Sequence, residues 1–131
     1  MPANETVVVL GASPKPERHS NQAVRALVEH GHRVIPVHPL LKKIAGVVVV
    51  PVLSGVKDPV NTLTLYVGPK RGKELLQDMI NLGPDRVIMN PGTESDEIEE
   101  GLNAKGIAVL RACTLVMLRT VSYTHLRAHE T

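Results

Sequence analysis

Aromatic residues are nearly absent from this 131-residue chain, which contains no Trp or Phe and two Tyr. The hydrophobic core must therefore be built from aliphatic side chains, and no platform of aromatic rings is available to stack the bases of single-stranded nucleic acid. The net charge of +2 is small, and the Lys and Arg residues are scattered along the chain. The composition thus argues against a general nucleic-acid-binding protein.

Cysteine and long apolar runs are also scarce. The single cysteine excludes an internal disulfide bond and is typical of a reducing compartment, so we expect a cytoplasmic protein. The sequence contains no signal peptide and no apolar stretch of membrane-spanning length, so we expect no membrane partner. The six histidines do not have the spacing of metal ligands, and we predict no metal site.

The C-terminal segment differs from the rest of the chain. Residues 121–131 (VSYTHLRAHET) have no hydrophobic period, and through every residue they resemble the translation of a transposon-end sequencing adapter. We therefore predict that residues 120–131 are a non-native or disordered tail, and that truncation after Arg119 leaves fold and ligand binding unchanged. The preceding residues 1–119 are enough for one domain with one modest core.

Strand-like and helix-like segments alternate along residues 1–119, which is typical of a parallel sheet with crossover helices. The predicted strands lie at residues 6–10, 33–37, 47–50, 63–67, 86–89 and 107–110. The predicted helices lie at residues 20–30, 69–82 and 95–105. The first has Ala23, Leu27 and Val28 facing inward, and the last has Ser95 as its N-cap. We predict an α/β, three-layer Rossmann-like fold with a mostly parallel sheet of five or six strands flanked by helices.

The first strand is followed by a loop suited to anions. The apolar run TVVVL stops at Gly11, where the backbone can turn tightly and approach a ligand. The loop has no G-x-G-x-x-G, so side-chain donors must supplement the backbone amides; Ser20 is also the expected helix N-cap. The candidate donors are Ser13, Lys15, Arg18 and Ser20.

The end of the second strand bears on the ligand class. A nicotinamide dinucleotide fold usually places a carboxylate here for the ribose hydroxyls, but this strand ends in Pro36-Val37-His38-Pro39. Lys42 and Lys43 follow, and two lysines near a ribose favour a nucleotide with an extra phosphate, as in NADP or coenzyme A.

With these residues in place, the chain resembles the small single-domain bacterial and archaeal CoA-binding proteins, whose fold is that of the CoA-binding domain of the succinyl-CoA synthetase α subunit. The resemblance covers residues 7–119. It is carried by Gly11-Ala12-Ser13 with Arg18 and Ser20, by residues 34–39 with Ile44 and Gly46, by residues 90–94, by Gly106-Ile107 and by residues 112–118. His38 replaces the asparagine often seen between valine and proline in that family.

The resemblance implies a set of CoA-binding residues. Gly11, Ala12, Ser13 and Lys15 would line the phosphate loop, and Arg18 would pair with a phosphate. His38, Pro39 and Lys42 or Lys43 would flank the adenosine end, and Val67, Gly68 and Pro69 would border the ligand from the next strand. Ser20 and Pro36 complete the predicted cofactor-binding set.

Three functional classes follow. The first is non-catalytic binding of coenzyme A or an acyl-CoA by a carrier, sensor or docking module. The second is a component of a CoA-dependent enzyme related to acyl-CoA ligases or transferases; in the related synthetases the resemblance implies a phosphohistidine and a nucleotide-grasp domain, which this chain is too short to hold. The third is an NAD(P)-binding module, opposed by the missing glycines and carboxylate. The sequence leaves a homodimer or a protein partner open.

Two further features are expected to be structural. Cys113 could exchange with a CoA thiol or carry an acyl group, but a buried apolar role beside Leu110 and Leu115 is the preferred interpretation. The acidic residues that follow Glu94 fall in the first half of a predicted helix, where the helix dipole favours negative charge. We interpret most of them as a solvated face.

Overall fold

The structure of the protein, a computed structural model, describes residues 4–120 and 123. Its strands are β1 (Thr6–Leu10), β2 (Arg33–Val37), β3 (Lys43–Ile44), β4 (Val47–Val48), β5 (Thr62–Leu65), β6 (Arg86–Met89) and β7 (Ala108–Arg111). Within these residues, five parallel strands form the central sheet in the order β2-β1-β5-β6-β7. The β-branched residues of β1 suit this position, since a central parallel strand is covered on both faces.

Helices cover both faces of the sheet. They are α1 (His19–Glu29), α2 (Pro69–Glu74), α3 (Leu76–Leu82), α4 (Asp96–Asn103) and α5 (Thr114–Arg119), with a 3-10 helix at Leu53–Gly55. Helices α1 and α5 pack on one face, where Val24, Leu27, Met117 and Leu118 meet alternate residues of β1. The 3-10 helix, α3 and α4 pack on the other face. The predicted three-layer Rossmann-like α/β fold is confirmed.

The strand order locates the place where a ligand can enter. After β1 the chain crosses to β2 on one side, and after β2 it returns past β1 to β5 on the other side. The loops that follow β1 and β5 therefore diverge, and in open α/β sheets such a switch point opens a crevice at the carboxyl ends of the strands. We call this end of the sheet the carboxyl edge and the opposite end the amino edge.

Helix α1 differs from its prediction in two respects. It begins at His19 with Arg18 as the N-cap residue, so Ser20 lies inside the first turn and is not the cap that the sequence predicted. Val28 is exposed, and Val24 takes the buried position beside Ala23 and Leu27. Val24 precedes Leu27 by three residues and therefore lies on the same helix face.

Other elements also depart from the predictions. The predicted strand at 47–50 is instead a short antiparallel hairpin of β3 and β4, and Val50 forms an isolated bridge to Val37. The predicted helix at 69–82 is two helices that meet at Leu75, whose φ of −98° and ψ of 1° lie outside the helical region. Helix α2 packs on α4, and α3 packs on α4 and on the 3-10 helix. The last strand lies one residue later than predicted, and α5 was not predicted.

A cluster of buried polar residues closes the amino edge. Glu5 and Arg86 are fully buried, with Arg86 Nη2 3.7 Å from Glu5 Oε1. Thr62 links them, since its hydroxyl donates to Glu5 Oε1 at 2.8 Å and accepts from Arg86 Nε at 2.9 Å. His32 Nδ1 accepts from the Glu5 amide at 3.0 Å. These contacts join β1, β5 and β6 at the end opposite the crevice.

Tyr123 completes this amino-edge cluster, although it belongs to the segment predicted to be a tail. Its hydroxyl donates to Glu5 Oε1 at 2.9 Å, and its ring lies 4.4 Å from the Arg86 guanidinium. Burial raises the pKa of Tyr123, so the phenol stays a donor. The expectation of a segment without packing contacts is therefore wrong at Tyr123. Residues 121, 122 and 124–131 lie outside the described residues, and the boundary at 119 stays a prediction.

No helix among the described residues is both long enough and apolar enough to cross a membrane.

Candidate anion-binding site at the carboxyl edge

The loop that follows β1, residues 11–18, is pressed against the end of β5. The Tyr66 amide donates to Leu10 O at 2.8 Å. Gly11 has φ +90°, and a Cβ there would lie 2.9 Å from the Tyr66 carbonyl carbon and 2.9 Å from Val67 Cγ1. Only glycine tolerates both the backbone angle and the contact. The loop therefore passes close to the switch point because residue 11 has no side chain.

The N-terminus of α1 lacks a capping side chain. The first intrahelical bond runs from the Gln22 amide to Arg18 O at 3.0 Å, and the amides of His19, Ser20 and Asn21 precede it. Across residues 4–120, no side chain caps these amides, and the first turn contains no acidic residue. An open helix N-terminus attracts anions through its amides and its dipole.

Helix α4 provides the contrast within the same molecule. Its N-cap Ser95 accepts from the Ile98 amide at 3.2 Å, and its first turn carries three acidic residues. Backbone hydrogen bonds, including one from the Gly92 amide, lower the pKa of the nearby Glu94 carboxyl. The end of α4 is thus already supplied with negative charge, whereas the end of α1 is not.

A cavity of about 440 Å³ lies between the first loop and the end of β5. Its lining consists of Gly11, Ser13, Lys15, Arg18, His19, Ser20 and Tyr66. Lys15 and Arg18 contribute positive charge and are exposed, so their charged groups can reach a ligand. The Ser13 hydroxyl accepts from the Lys15 amide at 3.2 Å, which leaves its proton available for another acceptor. Donors thus outnumber acceptors around this cavity.

Tyr66 and a buried amide border the site from β5 and β6. Burial raises the pKa of Tyr66 to about 12. Its phenol therefore stays neutral beside the basic loop. Asn90 is buried: its Nδ2 donates to Thr64 Oγ1 at 2.7 Å and to Leu65 O at 2.9 Å, and its Oδ1 accepts from the Thr114 amide at 2.9 Å. These bonds fix the carboxyl edge where α5 begins.

The end of β2 lies beside the first loop, because Val37 is the register partner of Leu10. His38 follows, and its Nδ1 accepts from the amides of Leu40 and Leu41 at 3.1 and 3.2 Å. The imidazole nitrogen thus accepts as an asparagine side-chain oxygen does in a turn, and in the neutral ring the proton lies on Nε2. His38 thus holds the turn that follows β2.

The structure brings some of the predicted site residues together and leaves others apart. Gly11, Ser13, Lys15, Arg18 and Ser20 share the cavity. Ala12 is buried beneath the loop against the face of the sheet that α1 covers. Val67 touches the loop at Gly11, and Gly68 and Pro69 begin α2.

The residues predicted from β2 do not line this cavity. Pro36 is buried within the strand, paired with Val9, while Pro39, Lys42 and Lys43 are exposed beyond its end. His19 and Tyr66, which do line it, were missed. Their signal was present, since His19 directly follows Arg18 and Tyr66 directly precedes Val67 in the sequence.

Cys113 occupies the N-cap position of α5 and is half-buried, so it is less enclosed than the sequence predicted. It provides no capping bond. Among residues 4–120 and 123, no three His, Cys, Asp or Glu side chains are grouped as metal ligands.

Comparison with known proteins identifies this arrangement. The family model described as a CoA binding domain matches residues 5–119. The chain belongs to the CoA binding domain family. A curated relative, the uncharacterized protein YneT of Bacillus subtilis (strain 168), is 22% identical over 107 residues, covering 82% of this chain and 79% of YneT.

Solved structures show this fold both in a chain of similar length and within a much longer chain. The cell-free ID.343 protein of Thermus thermophilus superposes with a TM-score of 0.84 at 31% identity, covering 90% of each chain. The dinucleotide-forming acetyl-coenzyme A synthetase 1 of Ca. Korarchaeum cryptofilum superposes with a TM-score of 0.71 at 23% identity, over 82% of this chain and 25% of the synthetase. This second likeness shows a shared fold, which stands alone in one protein and forms a quarter of the other.

Proposed function

We propose that this protein binds coenzyme A or an acyl-CoA at the carboxyl edge and acts as a binding module without catalytic chemistry of its own. The observation that carries the proposal is the uncapped N-terminus of α1, which faces a cavity lined by Lys15, Arg18 and His19. Membership of the CoA binding domain family supports the ligand class. In the ordinary form of such sites, helix amides and cationic side chains hold phosphate oxygens.

Each part of the site has a role in this proposal. The amides of the first turn, with Ser13 and Ser20, bind the pyrophosphate, and Arg18 and Lys15 neutralise its charge. Gly11 allows the pyrophosphate to approach the backbone without a Cβ in its path. Beyond the cavity, His38 and either Lys42 or Lys43 flank the adenosine end, where the lysines are exposed and can reach a 3′-phosphate.

The pantetheine arm would then run from the switch point across the end of β5. Val67, Gly68 and Pro69 border this path, and they offer apolar surface and backbone. In this assignment Ala12 and Pro36 support the site from below, and Pro39 directs the chain after β2. Apolar lining with a few fixed polar groups is typical of cofactor pockets.

Isothermal titration calorimetry with matched ligands tests the proposal. We expect coenzyme A to bind more tightly than NAD, because β2 ends without a carboxylate for the ribose and with two lysines nearby. Dephospho-coenzyme A should bind more weakly than coenzyme A, by about 1 to 3 kcal/mol for one lost charge-assisted contact. Equal or reversed affinities for coenzyme A and NAD would contradict the ligand assignment. Equal affinities for the two coenzyme A forms would remove only the role of Lys42 or Lys43.

A further inference from the structure

The backbone carbonyls of the first loop are held by hydrogen bonds, and most of the donors come from α1. Among the bonds within residues 4–120, five of the six carbonyl oxygens from Ser13 to Arg18 accept a hydrogen bond. Two of these donors are backbone amides, of Arg18 and Gln22. The other three are side chains of the first two turns of α1. Carbonyl oxygens repel phosphate oxygens, so a loop that binds phosphate must keep them turned away.

Asn21 and Arg25 form a two-residue clamp within this set. Asn21 Nδ2 donates to Ser13 O at 2.9 Å, and Asn21 Oδ1 accepts from Arg25 Nε at 2.9 Å. Arg25 Nη2 then donates to Pro16 O at 2.8 Å. The two side chains are four residues apart and share one face of α1. The clamp thus fixes both ends of the stretch that contains the two loop prolines.

The chemistry of Asn21 indicates that this clamp is specific. Asn21 is buried, and both of its polar side-chain atoms are hydrogen bonded. Asparagine is a poor helix former, and a buried amide is costly unless it is fully bonded. Neither Asn21 nor Arg25 lines the cavity. The side chains of the clamp therefore act on the loop and not on a ligand in that cavity.

We infer that Asn21 and Arg25 are positioning residues for phosphate recognition, an inference that rests on the proposed CoA binding. By holding the carbonyls of Ser13 and Pro16, they keep the loop in the conformation that the phosphates require before the ligand arrives. Preorganisation of this kind lowers the ordering cost of binding. The inference predicts a loss of affinity that does not depend on ligand contact or on long-range charge.

The test compares Arg25→Met, Arg25→Lys and Arg119→Met in the full chain. Arg25→Met removes both donors, Arg25→Lys keeps the charge and one donor, and Arg119→Met removes an exposed charge from α5 as the matched control. Coenzyme A affinity is measured by calorimetry at low and high salt, together with the melting temperature. Adenosine 3′,5′-bisphosphate and pantetheine serve as fragment ligands.

We expect Arg25→Met to weaken coenzyme A binding about tenfold at both salt concentrations, the size of a hydrogen bond to a charged group. Arg25→Lys should recover most of that loss, and Arg119→Met should have no effect. The loss should appear with the bisphosphate and not with pantetheine. Asn21→Ala, which removes the donor to Ser13 O without adding a charge, should reproduce it.

Two results would overturn the inference. One is unchanged coenzyme A affinity in Arg25→Met, and the other is a loss that disappears at high salt, since that would show attraction by charge alone. If the unaltered protein does not bind coenzyme A, the proposed function itself fails, and this outcome is distinct from a protein that binds coenzyme A with or without the clamp.

Discussion

The two edges of the sheet differ in whether their charged side chains are buried or exposed. At the amino edge, Glu5 and Arg86 are buried, bonded to neighbouring strands and covered by Tyr123. At the carboxyl edge, Lys15 and Arg18 are exposed around a cavity, and the amides that open α1 have no capping side chain within residues 4–120. Charge is enclosed at one edge and presented at the other. The amino edge therefore serves stability, and the carboxyl edge is the one available for binding.

The substitution Arg86→Met should have the largest effect on stability, because it breaks the buried charge pair of the amino edge. It leaves the Glu5 carboxylate in the interior without its cation, and breaking a buried pair of this kind costs about 3 to 5 kcal/mol. Denaturant unfolding followed by circular dichroism measures the loss. The double variant Glu5→Gln/Arg86→Met is the control, because removal of the remaining charge should restore part of the stability. A fully stable Arg86→Met protein would contradict the role given to this pair.

Truncation after Arg119 removes Tyr123 from the amino edge. We expect a loss of about 2 to 4 kcal/mol, since a buried aromatic ring, its bond to Glu5 and its contact with Arg86 disappear together. Thermal melting of the truncated and full chains measures this, with Tyr123→Phe as the variant that loses the hydroxyl alone. Coenzyme A affinity of the folded protein should not change. An unchanged melting temperature would restore the view that the segment makes no structural contribution.

Gly11→Ala tests the carboxyl edge through its backbone. The added Cβ meets the Tyr66 carbonyl carbon at 2.9 Å, and φ of +90° is unfavourable for alanine. We expect a cost of about 1 to 3 kcal/mol in stability, accompanied by at least a tenfold loss of coenzyme A affinity as the loop moves. Gly46→Ala is the control, because Gly46 also has a positive φ but a Cβ there would meet no atom within 4 Å. If Gly11→Ala loses stability but keeps its affinity for coenzyme A, the loop does not contribute to binding.

Arg18→Ala should have the smallest effect on the fold and a clear effect on the ligand. Arg18 is exposed and lines the cavity, so its removal should weaken coenzyme A binding by about 1.5 to 3 kcal/mol while the melting temperature stays the same. Arg71→Ala, an exposed arginine paired with Glu74 on α2, provides a matched control. If stability and affinity fall together in Arg18→Ala, Arg18 contributes to folding as well as to ligand binding, which would contradict the division between the two edges.

The elements that the sequence predicted well are those with a strong local signal. The apolar runs of β1 and β2 end at residues that cannot continue a buried strand, so their bounds at 6–10 and 33–37 agree with the structure. Ser95 was predicted as a cap and is one, because a serine before an acidic first turn is a local pattern. Helix α1 has no such cap, so the sequence placed its start one residue late.

The residues of the candidate site also fall into two groups, those that local sequence predicts and those that only the fold brings together. Gly11, Ser13, Lys15 and Arg18 follow one strand within eight residues, so their proximity could be predicted from the chain alone. Tyr66 joins them because β5 pairs with β1, which requires the strand order. The sequence could not predict that His38 Nδ1 accepts hydrogen bonds, because this role depends on how the chain turns toward Leu40 and Leu41.

The sequence by itself determined the fold class, the CoA-binding resemblance and the basic loop after the first strand, because each is a local pattern of hydrophobicity, glycine or charge. The tertiary structure decided which charges are enclosed and which are presented. Glu5 and Tyr123 are 118 residues apart in sequence and 2.9 Å apart in space. No local pattern predicts such a contact, since it forms only when the sheet brings distant strand ends together and excludes water from them.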